Sequence, residues 1–357
     1  MPLLPLYIAS LGASHTEIGA IMAAGSVGGL LSRPIAGLAL DYWGRRQVVM
    51  TGTLVLAAAL GMLGMVTTPG PLAYLSRFVF GIGEGALFTG YFAWASDMVP
   101  EERRTEGLAL FGIAGLFPLT VTPLLGAVSF EPGELQALFP VLAIVVLLSL
   151  TVVIPLRNIA APSQADGINL RRIAKALWQP RLRPVWFASA LFAMLVSVYL
   201  SFSAIAAASH GVENPSLLWV TYGAGAITLR LLGARLPDRV GPRNLVVPAL
   251  GMYLGAMLLV ANATTTSGFI TAGLIAGLGH GYCFPILASQ VVTRSTASMR
   301  GSALAVYAFL WEISALVFTP VFGSISDHWG TPNMFLIAAT LGIAGLAIWA
   351  IIEHRAE

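Results

Sequence analysis

Apolar runs of about membrane-spanning length, broken by short polar connections, fill the chain from end to end. A helix needs about 20 apolar residues to cross a hydrocarbon core of about 30 Å. The pattern predicts complete spans over 17–40, 47–67, 72–98, 104–129, 135–156, 184–209, 215–236, 244–263, 268–292, 300–326 and 332–352. Turn chemistry separates them, as at Pro69-Gly70, Pro132-Gly133 and Gly330-Thr331-Pro332. Before the first complete span, residues 1–11 are apolar but supply only half a crossing at about 1.5 Å per residue. They have neither the basic start nor the cleavage site of a signal peptide.

Composition agrees with the pattern. Of the 357 residues, 57% are hydrophobic and only 10% charged, against about 25% in soluble domains. The expected fold class is an all-α polytopic membrane protein. One cysteine, Cys283, excludes an internal disulfide and a multi-cysteine metal site. No metal-ligand spacing, nucleophile motif or phosphate-binding loop is present, so neither an enzyme nor a bound cofactor or metal is expected.

Placement of charge sets the orientation. Arg45 and Arg46, Arg103 and Arg104, the run from Arg157 to Arg183, Arg239 and Arg243, Arg294 and Arg300, and Arg355 fall on alternate connections. The connections around His15, Pro69, Glu131, Asn214, Thr265 and Asp327 carry no Lys or Arg. Basic loops mark the cytoplasmic face. Spread in this way, the arginines form no nucleic-acid patch despite a pI near 9.2. The polar stretch 157–183 is the one long connection, and it divides the chain into 1–156 and 184–357. Within it Leu170, Ile173, Ala174, Leu177 and Trp178 recur at helical spacing, as in a helix lying along the interface or a solvated linker.

The two parts repeat one another. Gly81-Ile-Gly-Glu-Gly85 matches Gly277-Leu-Gly-His-Gly281 at a separation of 196 residues, and Pro123 matches Pro320 at 197. Gly37, Asp41, Gly44, Arg45 and Arg46 form a Gly-x-x-x-Asp-x-x-Gly-Arg-Arg connection between the first two spans, with a variant at Gly233, Asp238, Gly241 and Arg243. Asp41 closes a helix, where the dipole disfavours an anion, so it needs a partner elsewhere. These paired motifs resemble the major facilitator superfamily of secondary transporters over the whole chain, and its efflux-type members in particular. The resemblance implies two pseudo-symmetric six-helix bundles in a bacterial cytoplasmic membrane, with 157–183 as the cytoplasmic linker. It also implies that 1–11 is the second half of a first helix whose start is missing.

Charges inside spans are expensive and so are candidates for function. Arg77 and Glu84 lie two turns apart on the span 72–98, His280 stands at the repeat position of Glu84, and Glu312 lies mid-span in 300–326. These four are the expected proton-coupling and cavity residues; the alternatives are a structural Arg77–Glu84 pair and a packed histidine. Arg33 and Arg230 are expected to snorkel to the interface as structural or gating residues. Asp327-His-Trp-Gly330 is read as an outer turn. The resemblance further implies a cytoplasmic gate in which Asp97 joins Arg45, Arg46 and Asp41. In it Asp41 would cap the helix starting at Arg300, and Asp238 the helix starting at Arg104. The expected function is alternating-access transport of a small organic solute by a monomer in the bilayer, as proton-coupled export. Uptake, uniport and a non-transporting sensor are the alternatives. Pro118 and Thr122 depart from the antiporter pattern around Pro123.

Overall fold

The computed structural model describes residues 3–98, 112–117, 120–121, 132–158, 176–233, 236–296 and 299–355, without the side chains of Asp41, Ser96, residues 132–134, Asp238, Pro242, Arg300 and Gly301. Every regular element among them is helical. In chain order these are α1 (Leu4–Ser10), α2 (His15–Trp43), α3 (Arg45–Leu63), α4 (Pro71–Met98), α5 (Pro132–Leu148) and α6 (Leu150–Val153). There follow α7 (Arg183–Ser209), α8 (Leu217–Leu232), α9 (Leu236–Val240), α10 (Val246–Asn262), α11 (Thr266–Arg294), α12 (Arg300–Trp329) and α13 (Thr331–Arg355). Among the described residues, eight helices are long and apolar enough to cross a membrane. The chain is a multi-pass membrane protein. Most of the predicted span 104–129 and most of the predicted interfacial helix lie outside the described residues.

Glycines end the helices where the chain must reverse at once. Gly44, Gly241 and Gly330 have φ of +83°, +87° and +83°, a region costly for other residues. Ser14 starts α2 with a capping box: its hydroxyl accepts from the Glu17 amide while the Glu17 carboxylate accepts from the Ser14 amide. The short α1 is packed and buried, with the Tyr7 hydroxyl donating to the Val66 carbonyl and the Tyr7 and Phe139 rings 5.3 Å apart.

Small residues set the packing, as expected where lipid removes the hydrophobic drive between helices. Gly81 of α4 lies against the Gly25 carbonyl of α2, Gly85 against Gly29 and Ser32 of α2, and Gly83 against Leu56 of α3. The repeat-equivalent glycines of α11 do the same. Gly277 and Gly281 lie against Tyr222 and Ala226 of α8, and Gly279 against Ala249 and Tyr253 of α10. The sequence repeat is therefore a repeat of helix contacts. Across it, α2 and α12 pack along one another.

Candidate functional site

Mid-span, the seam between α2 and α12 carries an ion pair. Arg33 Nη2 donates to Glu312 Oε1 at 2.6 Å, and both side chains are largely covered. Gly29, one turn before Arg33, makes the room: a Cβ there would stand 3.1 Å from Glu312 Oε1. The Arg33 guanidinium also lies 5.1 Å from the centre of the Phe88 ring, a cation–π contact from α4. Arg33 thus turns to Glu312 within the protein instead of snorkelling outward. Its partner is 279 residues away, which is why local pattern gave no sign of the pair.

Arg77 lies against Gly25, where any side chain would displace it, and 4.9 Å over the Phe80 ring. It sits in the field of Glu84 and Glu312. Its Nε and Nη1 have no hydrogen-bond partner, and no Arg77–Glu84 ion pair forms, among the described residues. Glu84 itself is exposed. Of the expected four, the structure sets Arg77 in the field of both Glu84 and Glu312, with Arg33 as the cation that Glu312 holds.

His280 belongs to a neighbouring aromatic cluster. Its Nδ1 lies 2.7 Å from the Tyr222 hydroxyl, and its ring centre is 5.4 Å from Phe192, 6.2 Å from Trp311 and 6.3 Å from Phe284. Trp311 precedes Glu312, so this cluster borders the ion pair. Tyr199, Trp219, Tyr222 and Tyr253 are fully buried against one another and pack the fold. Arg230 donates to the Gly112 carbonyl at 2.8 Å and the Gly281 carbonyl at 3.3 Å. It ties α8 to α11 and to the helical residues 112–117, so it too does more than snorkel.

At the arginine-rich end of the bundle Arg45 Nε donates to Asp97 Oδ2 at 2.7 Å, the pairing the resemblance implies. Arg46 binds the carbonyls of Ile154 and Leu156. Asn158 holds the Gly44 turn, donating to the Trp43 carbonyl and accepting from the Arg46 amide. In the second motif the Gly233 carbonyl accepts from the Tyr282 hydroxyl at 3.1 Å. Arg243 pairs with Glu353 at 3.2 Å, and Glu353 also takes two bonds from Arg294. Sequence reading missed Asn158 and Glu353; the signal was that each is a polar residue just past the last apolar run of its part. Around Gly37 no described atom comes within 4 Å of where a Cβ would stand, and Tyr42 is 83% exposed. Arg104 and the side chains of Asp41, Asp238 and Arg300 lie outside the described residues, and with them the two expected helix caps.

The opposite end of the seam is bonded across. Asp327 is not a turn residue: it ends α12 and caps α2. Oδ1 accepts from the His15 amide and Oδ2 from the Thr16 amide, both at 2.8 Å, and the Thr16 hydroxyl adds a bond of 2.6 Å. The His15 ring stands 3.2 Å from the same carboxylate. Below this cap, Thr319 donates to the Gly19 carbonyl at 3.0 Å, and Gly323 lies against the His15 carbonyl.

A family model described as Major Facilitator Superfamily matches residues 1–319 and 216–357. The chain is 26% identical to an uncharacterized MFS-type transporter, STM4428, of Salmonella typhimurium, over 97% of its own length and 90% of the relative's. It is likewise 26% identical to the uncharacterized MFS-type transporter YhhS of Escherichia coli, over 100% and 89%. Among solved structures it is similar to a mutant form of the nucleoside transporter NupG, with a TM-score of 0.81 at 15% identity, covering 98% of this chain and 95% of that one.

Proposed function

Because the chain belongs to the Major Facilitator Superfamily, we propose that it is a proton-coupled secondary transporter that exports a small organic solute by rocking of two six-helix halves. The halves are 1–156 and 184–357, with 157–183 as cytoplasmic linker. It works as a monomer in a bacterial cytoplasmic membrane. The observation that carries the reading is the α2–α12 seam. Its outer end is bonded through Asp327 and its middle holds Arg33–Glu312. That arrangement supports a state closed outward.

Glu312 is the coupling carboxyl that the geometry favours, with Glu84 second. An arginine beside a carboxyl favours the carboxylate, and separating the two favours the acid. Rocking changes the Arg33–Glu312 pair, which bridges the halves mid-span, so proton uptake and the conformational step share a contact. Export in preference to uptake rests on the resemblance to efflux-type members.

The test starts with proteoliposomes containing a pH-sensitive dye, screened with lipophilic cations, sugars and nucleosides for solute-driven proton movement. Glu312→Gln should lose gradient-driven flux and keep solute exchange at equal concentrations, because exchange needs binding and rocking but no net proton transfer. Full pH-driven transport by Glu312→Gln would pass the role to Glu84. Full transport by both Glu312→Gln and Glu84→Gln would make the protein a uniporter.

A further inference from the structure

We propose that Gly323, Asp327 and Gly330 form a latch that holds the outer side of the transporter shut. It is the inverse of the gate expected of Gly37, Asp41 and Gly44 at the other end of the same helix pair. The proposal rests on the rocking-halves reading above.

The two triplets have the same spacing, Gly-x-x-x-Asp-x-x-Gly, one at the end of α2 and the other at the end of α12. Gly44 and Gly330 share a φ of +83°, so both helices stop abruptly just past the aspartate. Gly323 lies on the His15 carbonyl with no room for a side chain, which lets the start of α2 approach α12 closely. Asp327 then reaches across from the C-terminal half to the first two residues of α2.

The division of hydrogen bonds points to a contact made to be broken. A helix N-terminus leaves its first amide N–H groups without internal partners. Ser14, from the helix's own half, takes the Glu17 amide at 3.1 Å. The amides of His15 and Thr16 are left to Asp327. When the outer side opens, Ser14 and Glu17 still cap α2, so the helix keeps its start while the His15 and Thr16 amides pass to water. Asp327, at the negative end of its own helix dipole, then loses the positive end of α2 that compensates it. The carboxylate therefore favours the closed outer state without being needed for folding of α2.

The repeat makes the latch single. Gly126 is the equivalent of Gly323 at 197 positions, but Phe130 stands where the equivalent of Asp327 would be. One substitution is thus enough to remove it.

Distances between spin labels test the proposal on a Cys283→Ser background. Labels at Met65→Cys and Thr264→Cys, both exposed on outer connections, report the outer side. Tyr42→Cys and Arg239→Cys, also exposed, report the cytoplasmic side. Asp327→Ala should raise the outward-open to inward-open ratio about fivefold, the effect of losing a good helix cap. Gly323→Ala should move it the same way by forcing the helices apart, and it serves if Asp327→Ala fails to fold. A wild type with two populations at both ends, and variants with unchanged populations, would overturn the latch and leave the rocking reading standing. A wild type whose inner and outer distances never change in opposite senses would remove that reading and the latch together.

Discussion

Glu353 is 3% exposed and takes both Arg294 and Arg243, so at the scale of single residues it is the acid whose loss should be felt most. Removing it takes the carboxylate away from Arg294, which is 22% exposed, and breaking a buried pair from one side costs far more than the pair contributes. Arg243 is 39% exposed and recovers part of that from water, which reduces the cost to about 1–3 kcal/mol. Glu353→Ala should therefore melt earlier in detergent than wild type, followed by tryptophan fluorescence, and Glu353→Ala with Arg294→Met should regain part of the loss. A melting curve identical to wild type would show that the triad is idle. The residues legible in advance were those whose cost is visible along the chain: Arg77, Glu84 and Glu312 stand out because charge inside a span is expensive. Their partners were not legible. Arg33 meets Glu312 across 279 residues, and Asp327 meets His15 across 312, so both bonds exist only once the helices are packed. Asp327 was misplaced for a further reason. Its spacing is plain in the sequence, but a loop motif without following arginines reads as a turn, whereas the bond it makes is to another helix's amides.

At the scale of elements, the glycine repeat was the most readable feature, because a side chain of a single hydrogen is recognisable wherever two helices touch. The spacing announced a repeat and the packing explains it: the outer two glycines of each triplet face one helix and the middle one faces another. This gives a contrast within one protein. Gly81→Ala and Gly277→Ala would each drive a methyl into a backbone carbonyl of the neighbouring helix. They should lose yield or melt early, by about 1–3 kcal/mol as for an overpacked core. Gly61→Ala and Gly255→Ala meet nothing within 4 Å among the described residues. They should be neutral, or stabilise by about 0.5–1 kcal/mol through helix propensity. Thermal melting of the four variants side by side decides it: equal losses in all four would mean that small-residue packing does not hold these helices. Sequence placed the long helices within a few residues. It was weaker at their ends, where α2 runs on through Asp41 to Trp43 and α12 through Asp327 to Trp329, since polar residues at a helix end look like loop until their partners are known.

At the scale of the whole molecule, the α2–α12 seam is the place where the two halves would have to part. Two antiparallel helices carry an aspartate at opposite ends, a cap at the outer end and an ion pair between. On the proposed reading, rocking about the middle closes one end as it opens the other. A cross-link at the outer end should then stop the cycle without disturbing either half. Thr16 and Asp327 suit this, because the Thr16 hydroxyl lies 2.6 Å from Asp327 Oδ2, so cysteines at the two positions meet when the outer end closes and can form a disulfide. On a Cys283→Ser background, Thr16→Cys with Asp327→Cys should form that bond under mild oxidation. It should hold the protein closed outward, abolish net transport in proteoliposomes, and release it on reduction. Each single cysteine variant should be insensitive to the oxidant, which separates the lock from the loss of the Thr16 hydroxyl or of the Asp327 cap. Solute should still bind to the oxidised protein, because the bond leaves the mid-span charges of Arg33, Arg77 and Glu312 in place. Undiminished net transport by fully cross-linked protein would mean that the outer ends of α2 and α12 never separate, and the solute path would then have to run elsewhere than between the halves.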